Sequence, residues 1–167
     1  MFGTYFYHER IRKAVASFGA MFNNIYVLRK NSSGNTISTQ KVPLSYGPRT
    51  KFLDRIREQA NLTTDQRVAI KLPRMAFEIT NISYDPSRQL PKTNNFNKAV
   101  EGTILSRNKV YAGVPYLISF QLSVFAKQQD DALQVVEQIV PFFNPQYTLT
   151  IKPFSLYNDI KQDVPIT

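Results

Sequence analysis

"YLISFQLSVFAKQQDDALQVVEQIVPFFNPQYTLTI", residues 116–151, decides the fold, because a period of two gives way to a period of 3.6 inside it. Tyr116, Ile118, Phe120, Leu122 and Val124 alternate with Ser119, Gln121 and Ser123. That alternation predicts a strand in a sheet covered on one side by helices. Leu133, Val136, Ile139 and Val140 then recur at helical spacing and form the expected inward face of a helix. Asp130 and Asp131 fall in its first turn, where carboxylates favour the helix dipole. Pro141 ends the helix, and "QYTLTI" alternates again with Tyr147, Leu149 and Ile151 inward. Phe142 and Phe143 sit together on the corner between them. Two readings stand side by side: one ring completes the core under the sheet while the other faces a neighbour or lines the corner, or both rings lie in the core.

The chain before this stretch reads the same way. Residues 2–7 hold four aromatics, Phe2, Tyr5, Phe6 and Tyr7. A helix follows, with Ile11, Val15, Phe18 and Phe22 on one stripe, and Asn23–Asn24 at its end. Gly19 within the stripe leaves room for another backbone to approach. "IYVLRK" and "TISTQKVPL" flank "NSSGN", which is a hairpin with a turn of more than two residues. Pro43 favours an edge position. In "SYGPRTKFLDRIREQANL", Pro48 suits the first turn of a second helix, whose apolar face is Phe52, Leu53, Ile56 and Ala60. "LPRMAFEITNISYDP" is a strand in which Met75, Phe77 and Ile79 share one parity and Ile82 and Tyr84 the other. Residues 87–114 read as a protruding arm, with a hairpin turning at residues 106–108. The last sixteen residues hold no obvious complete element.

The sum is α+β: a mostly antiparallel sheet of about four to six strands covered by two or three helices, in a single domain over residues 1–167. Net charge is +9, from 21 Lys and Arg against 12 Asp and Glu, and it is dispersed rather than gathered in a tail. Such a balance raises the prospect of a nucleic-acid or acidic protein partner. No apolar run approaches the ~18 residues of a membrane span. The N-terminus lacks the basic-then-apolar order of a signal peptide, so a soluble protein made in a cytoplasm is expected.

The chain has no Cys and one His. Disulfides, thiolate metal sites and cysteine nucleophiles are excluded, and a His-based general base would have to be His8, which reads better as a surface residue at a helix entry. The six glycines are scattered and form no phosphate loop. Asp130 and Asp131 are adjacent, so on a helix they diverge by about 100° and make no acid/base pair. No catalytic, cofactor-binding or metal site and no small-molecule substrate is expected.

Three segments, "MFGTYFY", "LPRMAFEITNISYDPSRQL" and "PYLISFQLSVFAKQQDDALQVVEQIVPFFNPQYTLTI", occur in this order, with "VPLSYGPRTKFLDRI" between the first two. Together they resemble the tail-completion, or tail sheath stabiliser, proteins of T-even-type contractile-tailed bacteriophages. The resemblance implies a non-enzymatic virion protein assembled in the host bacterial cytoplasm. It implies a hexameric ring at the head-proximal end of the tail, contacting the tail sheath protein, the tail-tube terminator and the neck protein. DNA would be only passing cargo. Family members usually continue past the equivalent of residues 158–167 into further strands, so this chain is expected to be either a short member or C-terminally truncated relative to the family. A heterologous ring needs two different patches per subunit. The candidate interface residues are Phe2, Tyr5, Tyr7, Arg88, Phe96, Tyr111, Phe142, Phe143 and Tyr147. A tail-tube terminator, a head–tail connector subunit and a basic nucleic-acid-binding module are the alternatives.

Overall fold

A computed structural model describes residues 5, 7–58, 71–91, 93–99, 107–152 and 161–167. The chain divides into two compact units, Met1–Glu78 with Leu122–Thr167, and Ile79–Gln121. Its regular elements are helices α1 (Arg10–Met21), α2 (Arg49–Glu58) and α3 (Gln129–Ile139), with strands β1 (Tyr26–Lys30), β2 (Thr36–Lys41), β3 (Leu44–Tyr46), β4 (Arg74–Tyr84), β5 (Asn95–Ala99), β6 (Arg107–Tyr111), β7 (Tyr116–Phe125), β8 (Tyr147–Ile151) and β9 (Gln162–Ile166). The class is α+β. The described strands form one three-stranded sheet, in the order β3-β4-β7, and three two-stranded ones.

In the first unit β1 and β2 form the expected antiparallel hairpin. Gly34 takes φ 82, and its N–H donates to the Asn31 carbonyl at 2.8 Å. That left-handed backbone is what the turn needs and what a Cβ would penalise. Pro43 then ends the hairpin, and the chain enters a different sheet as β3. β3 runs parallel to β4, with Leu44 opposite Met75 and Tyr46 opposite Phe77. Alternation cannot distinguish parallel from antiparallel pairing. A parallel pair cannot be joined by a tight turn and needs a crossover connection, and here α2 lies in that connection. The Glu78 carboxylate accepts from the N–H of Arg49 at 3.3 Å and so meets the first turn of α2.

The expectation of a sheet covered on one side is corrected. β4 alternates between two cores. Met75 lies in a cluster with Phe22, Ile25, Val27, Val42 and Val135, drawn from α1, the hairpin and α3. Its neighbour Ala76 lies in a second cluster with Phe52 of α2 and Phe125. Leu122 and Val124 of β7 pack on the first cluster, while Phe125, one residue on, turns its ring to Phe52 at 5.9 Å. Both faces are therefore covered at this end of the strands. Full burial of a side chain the size of Met75 or Val27 contributes about 1.5–3 kcal/mol. Gly19 of α1 approaches a side chain rather than a backbone: a Cβ there would stand 3.2 Å from the Phe77 ring.

Helix α3 is also rotated from its expected orientation. Val135 and Asp131 are its buried residues, whereas Leu133, Val136 and Val140 are exposed. The cause is a polar stripe. Asp131, Gln134 and Gln138 lie three and four residues apart and so share one face. Leu28 N–H donates to Gln134 Oε1 at 3.0 Å, and Gln138 Nε2 donates to the Tyr26 carbonyl at 2.8 Å. Those main-chain groups of β1 point away from β2. Arg29 Nη2 meets Asp131 Oδ2 at 3.0 Å. Asp131 is thus a buried ion-pair partner of β1, as well as a first-turn carboxylate.

β9 corrects the reading of the tail. It pairs antiparallel with β8, placing Val164 opposite Leu149 and Pro165 opposite Thr148. Pro165 hid it, since proline is tolerated only where no ladder N–H is required.

The second unit contains the outer part of β4, the β5–β6 hairpin and the start of β7. Asn108 pairs with Lys98 and Arg107 with Ala99, so residues 107 and 108, expected in a turn, are strand, and residue 106 lies outside the described residues. The parity change between Ile79 and Ile82 coincides with the passage of β4 from one unit to the other. Tyr84 and Tyr116 meet edge to face with ring centroids 6.0 Å apart.

A candidate protein-interaction surface

The α3 sequence contains an apolar arc wider than its core contact. At about 100° per residue, Val135, Ile139 and Ala132 occupy one half of that arc, and Val136, Val140 and Leu133 the other. The β1 edge holds the glutamine stripe, so only the first half reaches the core. The second half is left outside, flanked by the exposed carboxylates of Glu137 and Asp130. Patches of this kind on soluble proteins mark contact sites.

The exposed arc continues into the corner. α3 runs into a 3-10 turn over Val140–Phe142. Phe143 packs against the first core cluster, while Phe142 is 65% exposed. Phe142, Phe143 and Tyr147 line one open groove of about 380 Å³ with Phe22 and Ile139. Three of the residues expected at an interface are thus brought together here, and Leu133, Val136 and Val140 extend the patch. Periodicity alone assigned those three to the core. The signal that marks the region in the sequence is charge: no Lys or Arg occurs between Lys127 and Lys152, in a chain that carries 21.

The other expected residues lie elsewhere. Tyr5 and Tyr7 are exposed ahead of α1, while Phe2 and the side chain of Phe96 lie outside the described residues. In the second unit Tyr111 is exposed, with the Lys109 ammonium 5.0 Å from its ring centroid. Arg88 is held beside Asp85, its Nε 3.6 Å from Oδ2. Asp85 accepts from the Ser87 hydroxyl and from the Ser87 N–H. The hydroxyl bond foremost, then the N–H bond and the nearby Arg88 charge, hold its carboxyl below the usual value.

Among the described residues no group of three His, Cys, Asp or Glu side chains is placed to hold a metal ion, and no helix is long and apolar enough to cross a membrane. The geometry offers apolar and aromatic surface to another macromolecule.

Comparison with known proteins gives this surface a context. The chain is 29% identical over 169 aligned residues to tail completion protein gp15 of Enterobacteria phage T4. The alignment takes in 99% of this chain and 58% of that protein, so the chain spans little more than half of its relative's length. Residues 5–167 match the family described as T4-like virus Myoviridae tail sheath stabiliser. With all but four residues inside that match, the chain belongs to the T4-like tail sheath stabiliser family of contractile-tailed phages.

Proposed function

We propose that the chain is a structural subunit of the virion. It forms a hexameric ring at the head-proximal end of a contractile tail, caps the sheath and tube, and offers the surface on which the neck docks. Membership of the sheath stabiliser family carries this reading. The exposed α3–corner patch and the aromatic, basic surface of residues 79–121 support it, because a closed ring of identical subunits needs two unlike patches on each. Residues 87–114 act as an arm. The chain's partners are further copies of itself, the tail sheath protein, the tail-tube terminator and the neck protein, assembled in the host bacterial cytoplasm.

The net charge of +9 complements an acidic face on sheath or neck and accelerates docking. A channel through which DNA must slide is poorly served by a grip on phosphates, so DNA passes without being held. Gold-labelled antibody to this chain, viewed on extended and contracted virions by electron microscopy, tests the reading. Label confined to the head-proximal end of the tail is expected. Label on the capsid or baseplate overturns it.

A further inference from the structure

The second unit presents apolar side chains to solvent. Among its described residues none is buried, and Tyr84, Leu90, Tyr111, Val114, Tyr116 and Leu117 are all substantially exposed. Apolar side chains exposed together on so small a unit mark a contact surface for an apolar partner. Its charge says what sort. Residues 79–121 hold five Lys and Arg against two Asp and Glu. The fitting surface is apolar with an acidic rim.

The chain itself supplies such a surface. Leu133, Val136, Val140 and Phe142 are exposed along α3 and the corner, with Asp130 and Glu137 beside them, inside the longest stretch of the sequence without a cation. We propose that the basic aromatic unit, residues 79–121, of one copy packs on the acid-rimmed α3–corner patch of the next copy. The contact is heterologous, joining unlike patches, and so propagates around a ring. The proposal rests on the ring reading above and names the two faces that meet in it.

The chain has no native Cys, so single thiols are unambiguous. Tyr111→Cys and Leu133→Cys lie at exposed positions and leave the cores untouched. The two variants are mixed, one carrying a mass tag, and treated with a flexible bis-maleimide. Products are mapped by peptide mass. The expected result is a mixed dimer linked from Cys at 111 to Cys at 133, in excess over either homodimer. Homodimers alone, or no dimer, overturn the proposal.

Light scattering gives the second readout. Leu133→Lys/Val136→Lys is expected to lose the oligomeric mass while keeping the wild-type circular dichroism. Ile37→Lys, at an exposed residue of β2, is expected to keep both. If the wild type is oligomeric and the α3 double variant equally so, the pairing is overturned and the ring stands. If the wild type is monomeric at every concentration, pairing and ring both fall, and gold labelling still decides whether the protein belongs to the tail.

Discussion

Replacing Val135 with Ala tests the rotation of α3 directly, because periodicity and structure name different residues as its core face. Val135 is fully buried in the first cluster. The substitution removes two methyl groups at about 0.8 kcal/mol each. The void adds about 1 kcal/mol, since the surroundings relax only in part. Alanine's better helix propensity returns about 0.5 kcal/mol. The net expected loss is about 2 kcal/mol. Val136→Ala deletes the same atoms and gains the same propensity, but Val136 is 44% exposed, so its net effect is expected within about 0.5 kcal/mol of zero. Leu133 is 51% exposed, and Leu133→Ala is expected to cost less than about 1 kcal/mol. Urea unfolding followed by far-ultraviolet circular dichroism, at a concentration where the chain is monomeric, measures all three, with unchanged slopes required for the comparison. A loss for Leu133→Ala or Val136→Ala as large as that for Val135→Ala refutes the orientation described for α3.

Other perturbations follow from the same contacts. Arg29→Ala strands a buried carboxylate at Asp131 and is expected to cost about 1–3 kcal/mol, the lower end being favoured because half of the Arg29 side chain is already in water. A double-mutant cycle with Asp131→Asn checks it, and a coupling energy near zero removes the ion pair from the account. Phe143→Ala is expected to lose about 3 kcal/mol and Phe142→Ala less than about 1 kcal/mol of monomer stability; equal losses would place both rings in the core. For Asp85, a carboxyl whose folded pKa is lowered contributes stability above its unfolded value, and that contribution disappears as pH falls through the folded value. The carboxyl carbon of Asp85, followed by NMR, is expected to titrate with a midpoint below 3.8, and Ser87→Ala to raise that midpoint; a midpoint at or above 3.8 contradicts the Ser87 contact.

What was legible in the sequence is what is decided locally. The β1–β2 turn is specified by Asn31 to Asn35 themselves, and the strand period of β7 by its own alternation. The stripe of α1 predicts the packing of Phe18 and Phe22, though Ile11 at the helix start stays in solvent. The division of labour between Phe142 and Phe143 is not fixed by the sequence, which allows both rings in the core; the structure packs Phe143 and leaves Phe142 exposed. What was not legible depends on a distant partner. The direction in which α3 faces is fixed by the β1 main chain, about a hundred residues earlier. The Asp131, Gln134 and Gln138 stripe has the same spacing as the apolar one, so periodicity gives two equivalent answers. Phe125 breaks the parity of its strand because α2 covers the second face of the sheet, and nothing in residues 116–125 announces α2. The sequence pattern runs β2 on into β3 because both are extended, and only tertiary pairing separates them.

The glutamines along α3 have a consequence for how copies of this chain avoid each other. An outer strand with open N–H and C=O groups is a template on which any similar chain can add itself, and each addition exposes a new template. On β1, Gln134 and Gln138 occupy the positions that an incoming strand would need. Growth by strand stacking is blocked along this margin, while side-chain patches elsewhere remain available. A concentrated solution of the chain is thereby kept from the open-ended fibre that a bare strand margin would seed.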